Sequence, residues 1–294
     1  MRSHFTLALA LAFLLHGSAS AGAQEATTAP APSGVEVTFL ANAGFFLRAG
    51  ADGVLVDSFV REPHGVYAAL PFEYHQNIVL ARPPYDVPCT VLVSHTHADH
   101  VQFRGLEKFL ANSASSLLLA PDPIVAALKV EARDYPAIQA RVKPLSVTRG
   151  QPQVAANGST TVTVFELPHA GKENGDVRNF AYLIELGGLR LLHLGDAQPR
   201  PENFADCDFA SKALDVVFVP YWYFGTDEGL RIVSDDLPAR WRVAYHVPPR
   251  EMDEFSAFLA KEHPDVLLFK NALEKRSFEP APAPPGTSSG GGGR

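Results

Sequence analysis

Apolar residues in this chain come mostly in short bursts with a period of two. Val35-Glu36-Val37-Thr38-Phe39 alternates, Phe45-Phe46-Leu47 follows a small-residue turn at Ala43-Gly44, and Val54-Leu55-Val56-Asp57 follows the turn signal Asp52-Gly53. The same reading predicts strands at Thr90–Val93, Leu117–Leu119, Thr161–Phe165, Phe180–Leu186, Leu189–Leu194, Val216–Val219 and Val243–Tyr245. Gly187-Gly188 joins two of them as a two-residue hairpin turn.

Helical spacing is rarer. Leu106–Leu110 and Pro123–Val130 are short candidates, the second opening with proline where a first helical turn tolerates it. Met252–Glu262 is the clearest, with Phe255, Phe258 and Leu259 at the spacing of one buried face. Strands outnumber helices in both halves. Two packed sheets with helices outside would bury such faces, which makes the fold class α+β.

Composition sets the boundaries. Residues 1–23 read as a secretory signal peptide: Arg2, an apolar run from Phe5 to Leu15, then small residues at Ala19, Ala21 and Ala23. The periplasm or the cell exterior is the expected location. That run is too short to span a bilayer, and nothing later approaches the roughly 20 residues required. Residues 24–33 are a Pro/Ala/Thr linker and 278–294 a low-complexity tail, which leaves 34–277 as the globular part. A formal charge of -7 argues against a nucleic-acid partner. Export would permit a disulfide between Cys89 and Cys207; two buried thiols are the other reading.

The Thr90–Val93 run leads directly into Ser94-His95-Thr96-His97-Ala98-Asp99-His100. In extended chain alternate residues point the same way, so His95, His97 and Asp99 would project together and His100 towards a second ion. Imidazole nitrogen and carboxylate oxygen are donors that zinc accepts. Further ligands should come from other strand ends, where His169, Asp196 (after Gly195) and His246 each follow an apolar run. Asp57 ends an early strand, either as a partner that orients a ligand histidine or as a turn cap. His193 reads as a packed or ligand-supporting histidine. His64 and His75 fall in a Pro- and aromatic-rich segment, 58–88, that is either a lid or a surface excursion. Tyr221-Trp222-Tyr223-Phe224 offers a binding wall or core packing.

The His-x-His-x-Asp-His run at 95–100, followed in order by His169, Asp196 and His246, resembles the signature of the metallo-β-lactamase superfamily. Phe39-Leu40-Ala41-Asn42-Ala43-Gly44-Phe45 with Val54–Asp57 resembles the opening hairpin of its ascorbate-phosphate lactonase-like branch, with Asn42 where that branch often has histidine. The resemblance implies a four-layer αββα sandwich and two divalent metal ions, zinc first, with manganese or iron as alternatives. It would give His95, His97 and His169 to one ion, Asp99, His100 and His246 to the other, and Asp196 to both. An aspartate at that shared position resembles the hydrolytic and phosphodiesterase branches rather than the true β-lactamases.

The function so implied is hydrolysis of a small ester, lactone or phosphodiester by a hydroxide shared between two ions about 3.5–4 Å apart. Asp99 would orient it and move the proton. A small molecule is therefore the expected partner. The competing classes are a dinuclear iron oxidoreductase, which usually has a carboxylate where His97 stands, and a non-catalytic metal-binding module, which would lack a ligand.

Overall fold

The computed structural model describes residues 34–62 and 65–282. The segment read as a signal peptide, the linker at 24–33, His64 and the tail from 283 onward lie outside the described residues.

Six strands build most of the first sheet: β1 (Val35–Ala41), β2 (Gly44–Ala49), β3 (Asp52–Val56), β4 (Cys89–Leu92), β5 (Leu117–Pro121) and β6 (Val142–Leu145). The second sheet holds β7 (Gln153–Asn157), β8 (Thr160–Pro168), β9 (Arg178–Leu186), β10 (Leu189–His193), β11 (Leu214–Pro220), β12 (Ala239–Tyr245) and β13 (Val266–Leu268). The last strand, β14 (Lys275–Phe278), returns to the first sheet and pairs antiparallel with β1. Each sheet runs antiparallel at one side and parallel at the other: β3 to β6 in the first, β10 to β13 in the second.

Period-two alternation sorts the side chains into layers. In β2, Phe45 and Leu47 face the space between the sheets while Phe46 faces outward; in β9, Phe180, Tyr182 and Ile184 face inward while Ala181 and Leu183 face outward. Both faces of the parallel strands are covered, so these strands read as continuous apolar runs. Helices α1 (Phe72–Val79), α2 (Phe103–Asn112) and α3 (Asp122–Glu131) cover the first sheet through Ile78, Leu106, Phe109, Ile124 and Leu128. Two short helices, α4 (Tyr135–Ile138) and α5 (Asp227–Arg231), precede α6 (Met252–Glu262), which covers the second sheet. The result is the αββα sandwich.

Several expectations change. Phe278, assigned to the tail, is the last residue of β14; it is buried and its ring lies 5.2 Å from that of Trp241. Segment 58–88 is neither lid nor excursion as a whole, because Phe59, Leu70, Ile78 and Tyr85 belong to the core under α1 and α2. His75 sits buried there with neither ring nitrogen hydrogen-bonded. Cys89 and Cys207 are both free and buried, in clusters on the outer faces of opposite sheets, so the disulfide does not form. Among the described residues, no helix is long and apolar enough to cross a membrane.

Candidate metal centre

The loops leaving β4, β8, β10 and β12 bring their polar residues to one end of the sandwich. After β4 the chain does not stay extended: the amides of His100 and Val101 both donate to the His97 carbonyl, at 3.0 Å each. That turn breaks the expected alternation. Asp99 leaves the company of His95 and His97 and joins His100 instead.

Three overlapping groups of donor atoms result, each within 4.8 Å: His95, His97 and His169; Asp99, His100 and His246; and His95, His100 and Asp196. All seven residues predicted from sequence are brought together. Asp196 lies between the outer groups, its Oδ2 3.3 Å from His246 Nε2 and 3.7 Å from His169 Nε2, its Oδ1 3.3 Å from His100 Nε2.

The ring nitrogens face one another closely. His95 Nε2 is 3.1 Å from His97 Nδ1 and 3.2 Å from His169 Nε2, and His100 Nε2 is 3.0 Å from His246 Nε2. A neutral imidazole has one N–H and one lone pair. Three nitrogens converging on one point cannot all be satisfied by protons, whereas a cation accepts every lone pair at once. The Oδ1 of Asp196 is buried without a hydrogen bond, as a ligand oxygen would be. Five imidazoles with two carboxylates therefore fit a divalent metal site.

Neighbouring groups fix which nitrogen faces inward. Asp57 Oδ2 accepts from His100 Nδ1 at 2.8 Å and from the Ser94 hydroxyl at 2.6 Å, while Asp57 Oδ1 accepts from the Ser94 amide at 2.8 Å. The Ser94 hydroxyl oxygen in turn lies 3.0 Å from His95 Nδ1, and the Ala170 carbonyl accepts from His169 Nδ1 at 2.5 Å. Of the two readings of Asp57, the orienting one is what the geometry supports. His193 is the packed histidine: Ala43 O lies 3.1 Å from its Nε2, and its Nδ1 accepts from the Gly195 amide.

Gly195 has φ of +56°, and a Cβ there would stand 2.2 Å from Asn179 Oδ1. The absent side chain lets Asn179 Oδ1 accept from the Asp196 amide at 2.8 Å and aim the carboxylate. Asn42, Asp57 and His246 all hold left-handed backbone, with φ of 52°, 45° and 67°. Non-glycine residues there are uncommon and collect at functional sites.

The electrostatics divide the centre. Burial, then the nearby His100, holds His95 well below the usual histidine range; burial, then His169, lowers His97. Burial also disfavours charge on His100, but the Asp196 and Asp57 carboxylates outweigh it and hold His100 well above that range. For Asp99, burial acts upward, yet its hydrogen bond to His246 and the charge of His100 bring it to about 2.

Residues 54–263 match the family described as the β-lactamase superfamily domain. The chain belongs to that superfamily. No curated protein matches the sequence. Among solved structures, this superfamily member is similar to Igni18, described as a novel metallo hydrolase from Ignicoccus hospitalis, at 16% identity, covering 84% of this chain and 99% of that one with a TM-score of 0.57. An isothiocyanate hydrolase from Delia radicum gut bacteria is similar at 16% identity, 83% and 99% coverage and a TM-score of 0.58. A CmlA β-hydroxylase variant matches at 18% identity and a TM-score of 0.51, covering 85% of this chain and 54% of its own. At such identities the likeness is one of fold.

Three contributors were not anticipated from sequence. Asn42 Nδ2 donates to both the backbone carbonyl and Oδ2 of Asp99, at 3.1 Å each, and lies 3.3 Å from His246 Nε2. Its sequence signals were its place in the Ala41–Gly44 turn and its standing where the resembled branch often has histidine; neither indicated this role. The Tyr67 ring stands 4.5 Å from that of His246; burial, then Asp99 and Asp196, pushes its phenol up to about 12. Asn179, within β9, carried no signal. The aromatic run divides: Tyr223 and Phe224 are core, while Trp222 stands 5.3 Å from His246.

Proposed function

We propose that this superfamily member is an exported hydrolase, using two divalent metal ions, zinc first, to cleave a small ester, lactone or phosphodiester. The observation that carries the reading is that a middle donor group, His95, His100 and Asp196, shares His95 with one outer group and His100 with the other, with Asp196 between them. His95, His97 and His169 would hold one ion, Asp99, His100 and His246 the other, and Asp196 would serve both. Such a pair supplies, when bound, Lewis acidity and a nucleophilic water at neutral pH. Imidazole at His97 favours zinc over the iron of an oxidoreductase.

The chain's own groups do the remaining work. The low pKa of Asp99 keeps it a carboxylate at neutral pH, able to accept a proton from an attacking water and return it to the leaving group. Asn42 holds the Oδ2 of that carboxylate in place. Trp222 and the un-ionised Tyr67 wall the side next to His246 and limit access of bulk water.

A panel of lactone, phosphodiester, thioester and β-lactam substrates, assayed with the metal-loaded parent and with Asp99→Ala, tests this reading. Turnover of whichever substrate works should fall about 10²–10⁴-fold in the variant. Unchanged turnover removes Asp99 from the mechanism, and no turnover on any member of the panel counts against hydrolysis. Cell fractionation tests export separately.

A further inference from the structure

Beside the metal centre lies an open groove of about 360 Å³, lined by Tyr221, Trp222, Phe255 and Phe258 together with Glu251 and Glu254. Its aromatic character departs from expectation. Phe255 and Phe258 were predicted to share a buried helix face with Leu259, yet only Leu259 is fully buried and both rings open partly onto the groove. Tyr221 stands edge-on to Trp222 at 5.7 Å and to Phe255 at 5.5 Å, with interplanar angles of 75° and 82°. Rings set nearly perpendicular form two walls of a box rather than a stack. Trp222 is shared between the two regions, since its ring also stands 5.3 Å from the ring of His246.

The charged residues that line this groove are of one sign, with Arg250 just outside it. Neither lysine nor arginine lines it, while two carboxylates do. Arg250 reaches Glu251 only at 3.9 Å with both groups exposed, and Glu254 forms no ion pair among the described residues. Glu251 sits at the N-terminus of α6 beside the Tyr221 hydroxyl and Glu254 in that helix's first turn, so both carboxylates are held at the rim of the aromatic groove. An anion would be repelled. A cation with an apolar shell satisfies both features, because ring faces attract cations through their quadrupole and carboxylates add a longer-range pull. On the far side of the centre, next to His169, the cavity is instead lined by Arg149, Lys172 and Arg178 with a single carboxylate, Glu166, that is paired to Arg178, so the net charge there is positive.

We propose that the Tyr221–Trp222–Phe255–Phe258 groove, with Glu251 and Glu254 at its rim, is a subsite for an alkylammonium group. It places that part of a substrate or product next to His246. This names a substrate class for the hydrolase reading above and rests on it.

Binding can be measured apart from turnover. The chain has two tryptophans, and Trp241 lies in β12 with its ring under Arg240. In full-length Trp241→Phe protein, emission therefore reports Trp222 alone. In the parent, the two indole N–H NMR resonances give the same reading should that variant fold poorly. The probes are choline and its neutral isostere, neohexyl alcohol. Choline should perturb Trp222 saturably and bind at least about tenfold more tightly than the alcohol. The double variant Glu251→Gln, Glu254→Gln should remove most of that preference and leave alcohol binding unchanged. Equal binding of the two probes, or no saturable response to choline, overturns the proposal. Choline binding that survives while the substrate panel shows no turnover sinks the hydrolase reading and spares the subsite. Turnover with no preference for ammonium-bearing substrates does the reverse.

Discussion

The two outer donor groups of the metal centre are built by different means. In the first, His95 and His97 stand two residues apart in one loop, His97 is partly exposed, His169 joins from 74 positions along the chain, and the support is the Ser94 hydroxyl at His95 and the Ala170 carbonyl at His169. Asp99, His100 and His246 are buried, and His246 meets His100 across 146 positions of chain. Asp57 braces this second group through His100, Asn42 braces it through Asp99, and three of the residues concerned hold left-handed backbone. The first group is the more open and the less braced. The second is assembled by the whole sandwich, with backbone strain of order 1–3 kcal/mol per residue offset elsewhere. Preorganisation therefore differs between two halves of one site, and each half should fail in its own way.

The largest effect should come from Asp196, the residue that lies between the two. Asp196→Ala removes the carboxylate between His169, His100 and His246 and leaves buried imidazoles facing one another without it. Metal content by elemental analysis should fall from two equivalents to one or fewer, with turnover reduced by at least about 10³-fold. Two retained equivalents would mean that the groups are independent and that Asp196 is not shared.

A smaller and one-sided effect should follow Asp57→Asn. The amide keeps the size of the side chain but removes the charge that His100 Nδ1 and the Ser94 hydroxyl both address. Losing such a supporting carboxylate typically costs about 10–100-fold in metal affinity. The second equivalent should weaken by that amount and the first, which Asp57 reaches only through the Ser94 hydroxyl, by less; equal weakening of both would mean that the two groups are braced alike.

The same division explains what was legible in the sequence. The strands at Val35, Phe45, Val54, Thr90, Phe180 and Val216 could be read because their alternation, or their continuous apolar runs, reflects burial on one or both faces. Strand β14 was missed because Lys275-Arg276-Ser277 is polar and only Phe278 is buried; its pairing with β1 comes from the backbone. The ligands of both groups could be found because each follows a strand. The geometry of the 97–101 turn could not, since the hydrogen bonds to the His97 carbonyl override the alternation that extended chain would impose. Asn42, Tyr67 and Asn179 went unrecognised for a related reason. Each acts through a contact far along the chain, such as the 57 residues between Asn42 and Asp99, and no local pattern marks such a contact.

The subtlest difference between the halves is a matter of protons. In the metal-free protein, His95 and His97 are held below the ordinary histidine value of 6.5 and are neutral at pH 7. His100 is held above that value by the nearby Asp196 and Asp57 carboxylates, so at pH 7 it carries both ring protons. A cation entering the second group must expel that proton; one entering the first need not. The sign also fixes a stability trend. A pKa raised on folding contributes stability that is fully present below the unfolded value and lost as pH rises through the folded one. The metal-free protein should lose this contribution on the alkaline side, and metal-loaded protein, in which the cation replaces the proton, should not. Calorimetric titration in buffers of different ionisation enthalpy should show the second equivalent releasing about one proton more than the first at pH 7. Asp57→Asn removes one of the carboxylates that raise His100 and should shrink that excess, which separates the His100 proton from any other source. Equal release for both equivalents, unchanged in the variant, would show that the two halves are electrostatically alike.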